Sequence, residues 1–153
     1  MAIEIRLDDL SGERTLELLR LHLAGMHANS PRGHVFALDL AGLKAPAVTV
    51  WSASVEERIA GIGALKDLSH GAGEVKSMRT HPDFLRCGVG AALLEHIIAE
   101  ARKRGMKRLS LETGSGQAFE PALKLYRKRG FVDGEPFADY ERSGFNQFLH
   151  LSL

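Results

Sequence analysis

The segment that most constrains this chain is residues 78–94, Met-Arg-Thr-His-Pro-Asp-Phe-Leu-Arg-Cys-Gly-Val-Gly-Ala-Ala-Leu-Leu, where a β-rich run breaks at a glycine-containing turn and resumes as an apolar-periodic helix. A helix started in this way leaves its first backbone N–H groups without partners and aims the positive end of its dipole at the turn. Gly88 and Gly90 have no Cβ, so the backbone can approach a ligand closely. The segment therefore predicts a cradle for an anion such as a pyrophosphate. Two common phosphate motifs are not met. A dinucleotide fingerprint needs a glycine where Leu93 stands, and no Gly-Lys-Ser/Thr sequence follows to make a mononucleotide loop.

Periodicity on either side of the turn divides the chain into alternating strands and helices. Ile3, Ile5 and Leu7 alternate with polar residues as an opening strand, and Ser11 offers an N-cap to a helix carrying Leu16, Leu19, Leu23 and Met26 as far as about His27. A short helical piece is expected over 35–40. Residues 47–53 and 59–65 read as a hairpin about the turn 55–58, and 74–80 as the next strand. After the glycine turn a helix presents Leu93, Leu94, Ile97, Ile98 and Ala101 on one face and stops at Gly105. Leu109 and Leu111 mark a fifth strand. A last helix with Pro121 in its first turn ends at Gly130, and strands are expected over 131–137 and 146–151.

Length and composition narrow the function classes. A chain of 153 residues suits one domain, 1–153, burying roughly two thirds of its unfolded surface. Lys and Arg total 20 against 19 Asp and Glu, so bulk charge gives no reason to expect nucleic acid. Basic residues gather late in the chain, among them Arg102, Lys103, Arg104, Lys124, Arg127, Lys128 and Arg129, and read chiefly as solvated helix faces. One cysteine rules out an internal disulfide and an all-cysteine metal cage, and His22 and His27 lack the spacing that stacks two ligands on one helical face, so no metal is expected. The N-terminal residues lack the apolar run of a signal peptide and no stretch nears the roughly 20 residues that span a bilayer, which leads to the expectation of a cytoplasmic protein without a membrane partner.

Leu85-Arg86-Cys87-Gly88-Val89-Gly90 resembles the acyl-CoA pyrophosphate loop of the GCN5-related N-acetyltransferase superfamily, Gln/Arg-x-x-Gly-x-Gly/Ala, with Leu85 at the position usually Gln or Arg. A second segment, Leu125-Tyr126-Arg127-Lys128-Arg129-Gly130-Phe131, resembles the family's L-Y-x-x-x-G-F. The span 74–131 is similar to a bacterial subgroup of small, uncharacterised acetyltransferases, and the element order βααβββαβαββ is that of the superfamily. The resemblance implies an α/β (α+β) fold in which a central, mostly antiparallel mixed sheet of six to seven strands is flanked by about four helices. It also implies direct transfer of an acetyl group from acetyl-CoA to a primary amine, without a metal.

Such a transfer needs a group to deprotonate the ammonium and another to protonate the leaving thiolate. The resemblance places the acid at Tyr126, whose phenol, with a pKa near 10, is matched to a thiolate. The base is sought at Glu74, on the strand leading to the loop; an ion pair with Lys76 is the competing reading, and Glu112 at the end of strand five is the reserve. The donor is expected on the backbone of Met78, Arg79 and Thr80, which would hold the pantetheine arm like an added strand, and on Arg86, Cys87, Gly88, Val89, Gly90 and Ala91. Cys87 reads as filling a variable loop position rather than as a nucleophile. Phe119 stands where the family has an asparagine. The acceptor pocket is expected at 26–31 and 137–140, with Asp139 facing an amine and Arg32 or His27 facing an acid group. The partner expected is a small-molecule amine; a homodimer through the last strand, a protein lysine or N-terminus as acceptor, and a non-catalytic acyl-CoA sensor are the alternatives.

Overall fold

The computed structural model describes residues 2–153. Strand β1 (Glu4–Leu7) leads to helix α1 (Glu13–Asn29) and a single-turn helix α2 (Leu40–Leu43). Strands β2 (Val48–Val55), β3 (Arg58–Ser69) and β4 (Ala72–Thr80) follow, then helix α3 (Val89–Lys103), β5 (Arg108–Thr113), helix α4 (Glu120–Arg129), and the strands β6 (Val132–Asp133) and β7 (Gln147–Ser152). They form one seven-stranded sheet in the order β1-β2-β3-β4-β5-β7-β6. Every pairing is antiparallel except β4 with β5. This is the mixed, mostly antiparallel sheet that the resemblance implies.

Alternation along the strands sends side chains to two cores. One face of the sheet carries Ile62 and Ala64 against Leu18 and Leu19 of α1. The other carries Val75, Leu109, Leu111 and Leu149 against α3 and α4. Helix α3 buries Leu93, Leu94, Ile97 and Ile98 almost completely, each worth roughly 2 kcal/mol of transfer free energy. It lies close because β3 has glycines beneath it: a Cβ on Gly61 would stand 2.7 Å from Val89 Cγ1, and one on Gly63 3.1 Å from Ile97 Cδ1.

Two irregularities shape the centre of the sheet. Strands β4 and β5 pair only where Ala72, Gly73 and Glu74 face Arg108, Leu109 and Ser110, and beyond Glu74 they part. The register of β3 with β4 then jumps from Ala64↔Lys76 to Ile62↔Arg79, a β-bulge in which Ser77 takes a left-handed φ of 57°. The extra residue returns Arg79 to the α1 face beside Lys76, while Met78 lies under Gly63 on the α3 face.

Three expected boundaries differ. Gly12, not Ser11, caps α1, because the Ser11 hydroxyl donates to Asp9 instead, and α1 runs on to Asn29. The short helix lies at Leu40–Leu43 rather than 35–40, because the Asp39 carboxylate accepts the Gly42 N–H and starts it there. The strand expected over 131–137 keeps only two residues, since Pro136 has no N–H to donate and the Glu135 carbonyl accepts from His150 Nε2.

Candidate active site

The glycine turn leads from β4 through one turn of 3-10 helix, Pro82–Phe84, into α3. Arg86 and Gly88 both take left-handed backbone, at φ 62° and 83°, and Gly88 is the N-cap of α3. Alternating hands curl the chain so that successive N–H groups turn toward one concavity. The turn's internal bonds run from Phe84 N–H to His81 O and from Ala92 N–H to Gly88 O; among the described residues the N–H groups of Arg86 to Ala91 find no acceptor in the chain. A row of free donors at a helix N-terminus, with the exposed Arg86 side chain beside it, suits a pyrophosphate.

The two glycines serve different ends. Around Gly88 the space for a Cβ is empty, so glycine is needed there for its left-handed backbone. At Gly90 a Cβ would lie 3.3 Å from Leu125 Cδ2 and 3.7 Å from Thr80 Oγ1, so this glycine lets α4 close on the start of α3.

Behind the turn is the gap between β4 and β5. Past Glu74 the β4 backbone has no partner strand on its β5 side, and the Ser77 hydroxyl in the bulge is buried without a hydrogen bond. On the α1 face of this gap stand Glu74 and Lys76 from β4 and Glu112 from β5. Glu74 is buried and its Oε2 accepts from Lys76 Nζ at 3.1 Å and from the Tyr140 hydroxyl at 2.6 Å. Lys76 is also held by the Tyr140 oxygen at 2.8 Å and the Phe36 carbonyl at 3.4 Å. Tyr140 is clamped between Phe36 and Phe137, both edge-on. Burial, then the charge of Glu74 and the bond to it, raise the Tyr140 phenol far above its ordinary range.

Glu112 is the chemically distinctive member. Burial pushes its carboxyl up to about 7, with Glu74 adding to the rise and Lys76 opposing it. A half-buried carboxylate poised at neutrality is suited to taking a proton. The next row of the sheet is closed: Ser110 bonds to His150 Nδ1 at 2.7 Å, and since His150 Nε2 faces the Glu135 carbonyl, Nδ1 is the acceptor.

Tyr126 lies on the opposite face. Its ring is buried in the α3 and α4 core, edge-on to Phe131, and burial raises its phenol well above the usual value. Glu74 and Tyr126 are thus on the two sides of the sheet, and the gap between β4 and β5 is the opening that leads from one side to the other.

These elements match a known family along most of the chain. Residues 15–131 match the model of the acetyltransferase (GNAT) family. The uncharacterised N-acetyltransferase YsnE of Bacillus subtilis is 51% identical over 151 residues, covering 99% of this chain and 100% of its own. This chain belongs to the GNAT acetyltransferase family. A second uncharacterised N-acetyltransferase, YedL of Escherichia coli, is 46% identical over 149 residues, 97% of this chain and 94% of that protein. A Klebsiella pneumoniae structure described as an acyl-CoA N-acyltransferase superposes with a TM-score of 0.84 at 25% identity, covering 99% of this chain and 97% of that one.

The protein is therefore an acyltransferase of the GNAT family. Of the residues expected around an acceptor, Asp139, Arg32 and His27 are exposed and Tyr140 points inward, while Arg79, expected on the donor through its backbone, turns its side chain to α1. Phe119, at the family's asparagine position, is buried against Phe145. Tyr140 lies in the 137–140 segment expected at the acceptor pocket, but nothing local in the sequence ties it to Glu74. No group of three or more metal-ligating side chains forms among the described residues, and no helix there is long and apolar enough to cross a membrane.

Proposed function

We propose that the protein transfers an acetyl group from acetyl-CoA directly to the primary amine of a small acceptor. The observation that carries this reading is the Glu112 carboxyl, pushed to about 7, on the rim of a gap whose other rim is unpaired β4 backbone. The pyrophosphate of the donor would lie on the N–H groups of Arg86, Cys87, Gly88, Val89, Gly90 and Ala91, and its pantetheine arm along the backbone of Met78, Arg79 and Thr80.

Glu112 takes a proton from the acceptor ammonium, and the freed amine attacks the thioester carbonyl. The C–N bond forms, the C–S bond breaks, the Tyr126 hydroxyl gives its proton to the departing sulfur, and the second proton of the amine nitrogen passes through water in the gap to restore the Tyr126 hydroxyl. Holding both reactants in one gap supplies most of the acceleration. Glu74, the other candidate base, already accepts from Lys76 and Tyr140, so in this reading it fixes the acceptor wall and Glu112 moves the proton.

Calorimetric titration with acetyl-CoA, repeated on Gly88→Val, tests the donor site. One-site binding that the substitution weakens at least tenfold supports the reading, and thiol release with a panel of amines then reports turnover. Binding without turnover on any amine would favour an acyl-CoA sensor; no binding at millimolar donor overturns the reading.

A further inference from the structure

The β-bulge at Ser77 returns Arg79 to the α1 face, where its guanidinium meets no acid. Arg79 Nε donates to His22 Nδ1 at 3.0 Å, and Nη2 lies 3.5 Å from the His22 carbonyl. Gly25, one turn further along α1, makes room for it, since a Cβ there would stand 3.0 Å from Nη2. His22 is buried and held neutral by that burial and by the neighbouring cation, so it orients the guanidinium without balancing its charge. Among the described residues no carboxylate lies within ion-pair distance of Arg79, although every other inward-facing cation of this face, namely Lys76, has one. A half-buried guanidinium held in place by a neutral partner, with its Nη1 edge free of bonds, is an incomplete pair.

Its position says what would complete it. Arg79 shares the α1 face with Lys76, three residues away along β4, at roughly 7–10 Å by strand geometry. The buried, unpartnered Ser77 hydroxyl lies in the strand between them. The donor's phosphates belong at the start of α3, on the other face of the sheet, where Thr80 rather than Arg79 is directed. One planar fork with one positive charge matches a carboxylate, and no second unpaired cation stands beside it for a dianion.

We propose that Arg79 binds the carboxylate of the acceptor, so that the substrates of this acetyltransferase are small aminocarboxylates presenting their amine to Glu112 and their acid group to the His22-held guanidinium. The inference rests on the acetyl-transfer reading above, and goes beyond it in naming the acceptor class.

The experiment compares free amino acids and ω-amino acids, each paired with its carboxamide, as acceptors for the wild type, Arg79→Met and Arg79→Lys, with acetyl-CoA binding measured by calorimetry on all three. The wild type should favour the acid over its amide at least tenfold in kcat/KM, through KM. Arg79→Met should abolish that preference, Arg79→Lys should restore part of it, and acetyl-CoA affinity should stay constant. Acetylation confined to amines without an acid group, acetylation of no aminocarboxylate at all, or an unchanged preference in Arg79→Met overturns the proposal. A loss of acetyl-CoA affinity in Arg79→Met with acceptor preference intact would also overturn it, assigning the side chain to the donor. Should the wild type fail to bind acetyl-CoA, the acetyl-transfer reading itself falls, which the calorimetry distinguishes from failure of the acceptor class alone.

Discussion

Tyr140 donates its hydroxyl proton to Oε2 of Glu74 at 2.6 Å, joining a loop residue to a strand residue 66 positions earlier. The same oxygen of Glu74 accepts from Lys76, and the Tyr140 oxygen accepts from Lys76 in turn, so three side chains close a buried ring. The loop over 134–146 has almost no regular structure of its own, and this ring is one of the contacts that hold it against the sheet, with the Ser115 bond to the Phe145 carbonyl and the packing of Phe137 on Phe148.

Removing the phenol hydroxyl tests that role. Tyr140→Phe leaves the ring edge-on between Phe36 and Phe137 but takes one donor from a buried carboxylate, a loss of about 1.5–3 kcal/mol. The midpoint of urea unfolding should fall accordingly. The acceptor KM should rise while acetyl-CoA affinity, measured by calorimetry, is unchanged. An unaltered midpoint would mean that the loop is held by its other contacts without the phenol hydroxyl.

For Glu112 the prediction concerns pH. Its carboxyl ordinarily titrates near 4.5 and in the fold near 7, so the base form is populated only as pH rises through 7. Rate should climb on that limb in the wild type. Glu112→Gln should lower kcat about 100-fold or more and erase the limb. Stability moves oppositely. Between pH 4.5 and 7 the unfolded chain has released this proton and the folded one has not, so the group's contribution to stability declines across that window. Thermal melts should therefore show Glu112→Gln gaining on the wild type at pH 8 relative to pH 4. A kcat profile unchanged by the substitution would return the role of base to Glu74 or to water.

How far these residues were legible in the sequence depended on how local their causes are. The turn at 85–90 was readable because Gly88 needs its left-handed backbone and α3 announces itself by Leu93, Leu94, Ile97 and Ile98 at helical spacing. Tyr126 stands out by the Leu-Tyr and Gly-Phe flanks that end α4, and its role rests on the resemblance those flanks carry. The short helix lies later than the apolar pattern predicts because Asp39, three residues before Gly42, caps it. The side-chain contacts of Arg79 and Tyr140 are not legible for a different reason, the sequence placing Arg79 on the donor through its backbone alone and Tyr140 only within the 137–140 acceptor segment. Each owes its position to contacts 57 to 66 residues away, and Arg79 also to a bulge at Ser77, a residue with no local preference for left-handed backbone.

His22 carries the acid-side counterpart. Burial and Arg79 lower its pKa from 6.5 to about 4, so the neutral ring is favoured in the fold. Its contribution to stability is complete above pH 6.5 and is lost as pH falls toward 4, by up to roughly 3 kcal/mol. His22→Asn keeps an oxygen where Nδ1 accepts from Arg79 and removes the titration. Unfolding free energy between pH 7 and pH 4 should drop less in this variant than in the wild type. Equal drops would place the acid sensitivity in other groups.

Tyr126 separates a chemical from a structural role more sharply than any other residue here. Its ring is buried in the α3 and α4 core, but its hydroxyl forms no hydrogen bond among the described residues, and burial alone accounts for the rise of its phenol. Replacing the hydroxyl by hydrogen costs the fold no hydrogen bond, while the ring keeps its place in the core. Tyr126→Phe should accordingly leave the melting temperature unchanged or raise it. If the hydroxyl protonates the departing thiolate, the same variant should lose about 10² in kcat, at the low end for a lost acid, with acetyl-CoA affinity intact. Because burial holds the phenol protonated beyond its ordinary pKa of 10.0, the wild type should show no alkaline fall in rate from this group below that pH. A variant that is more stable and equally fast would remove Tyr126 from the chemistry and leave protonation of the sulfur to water in the gap between β4 and β5.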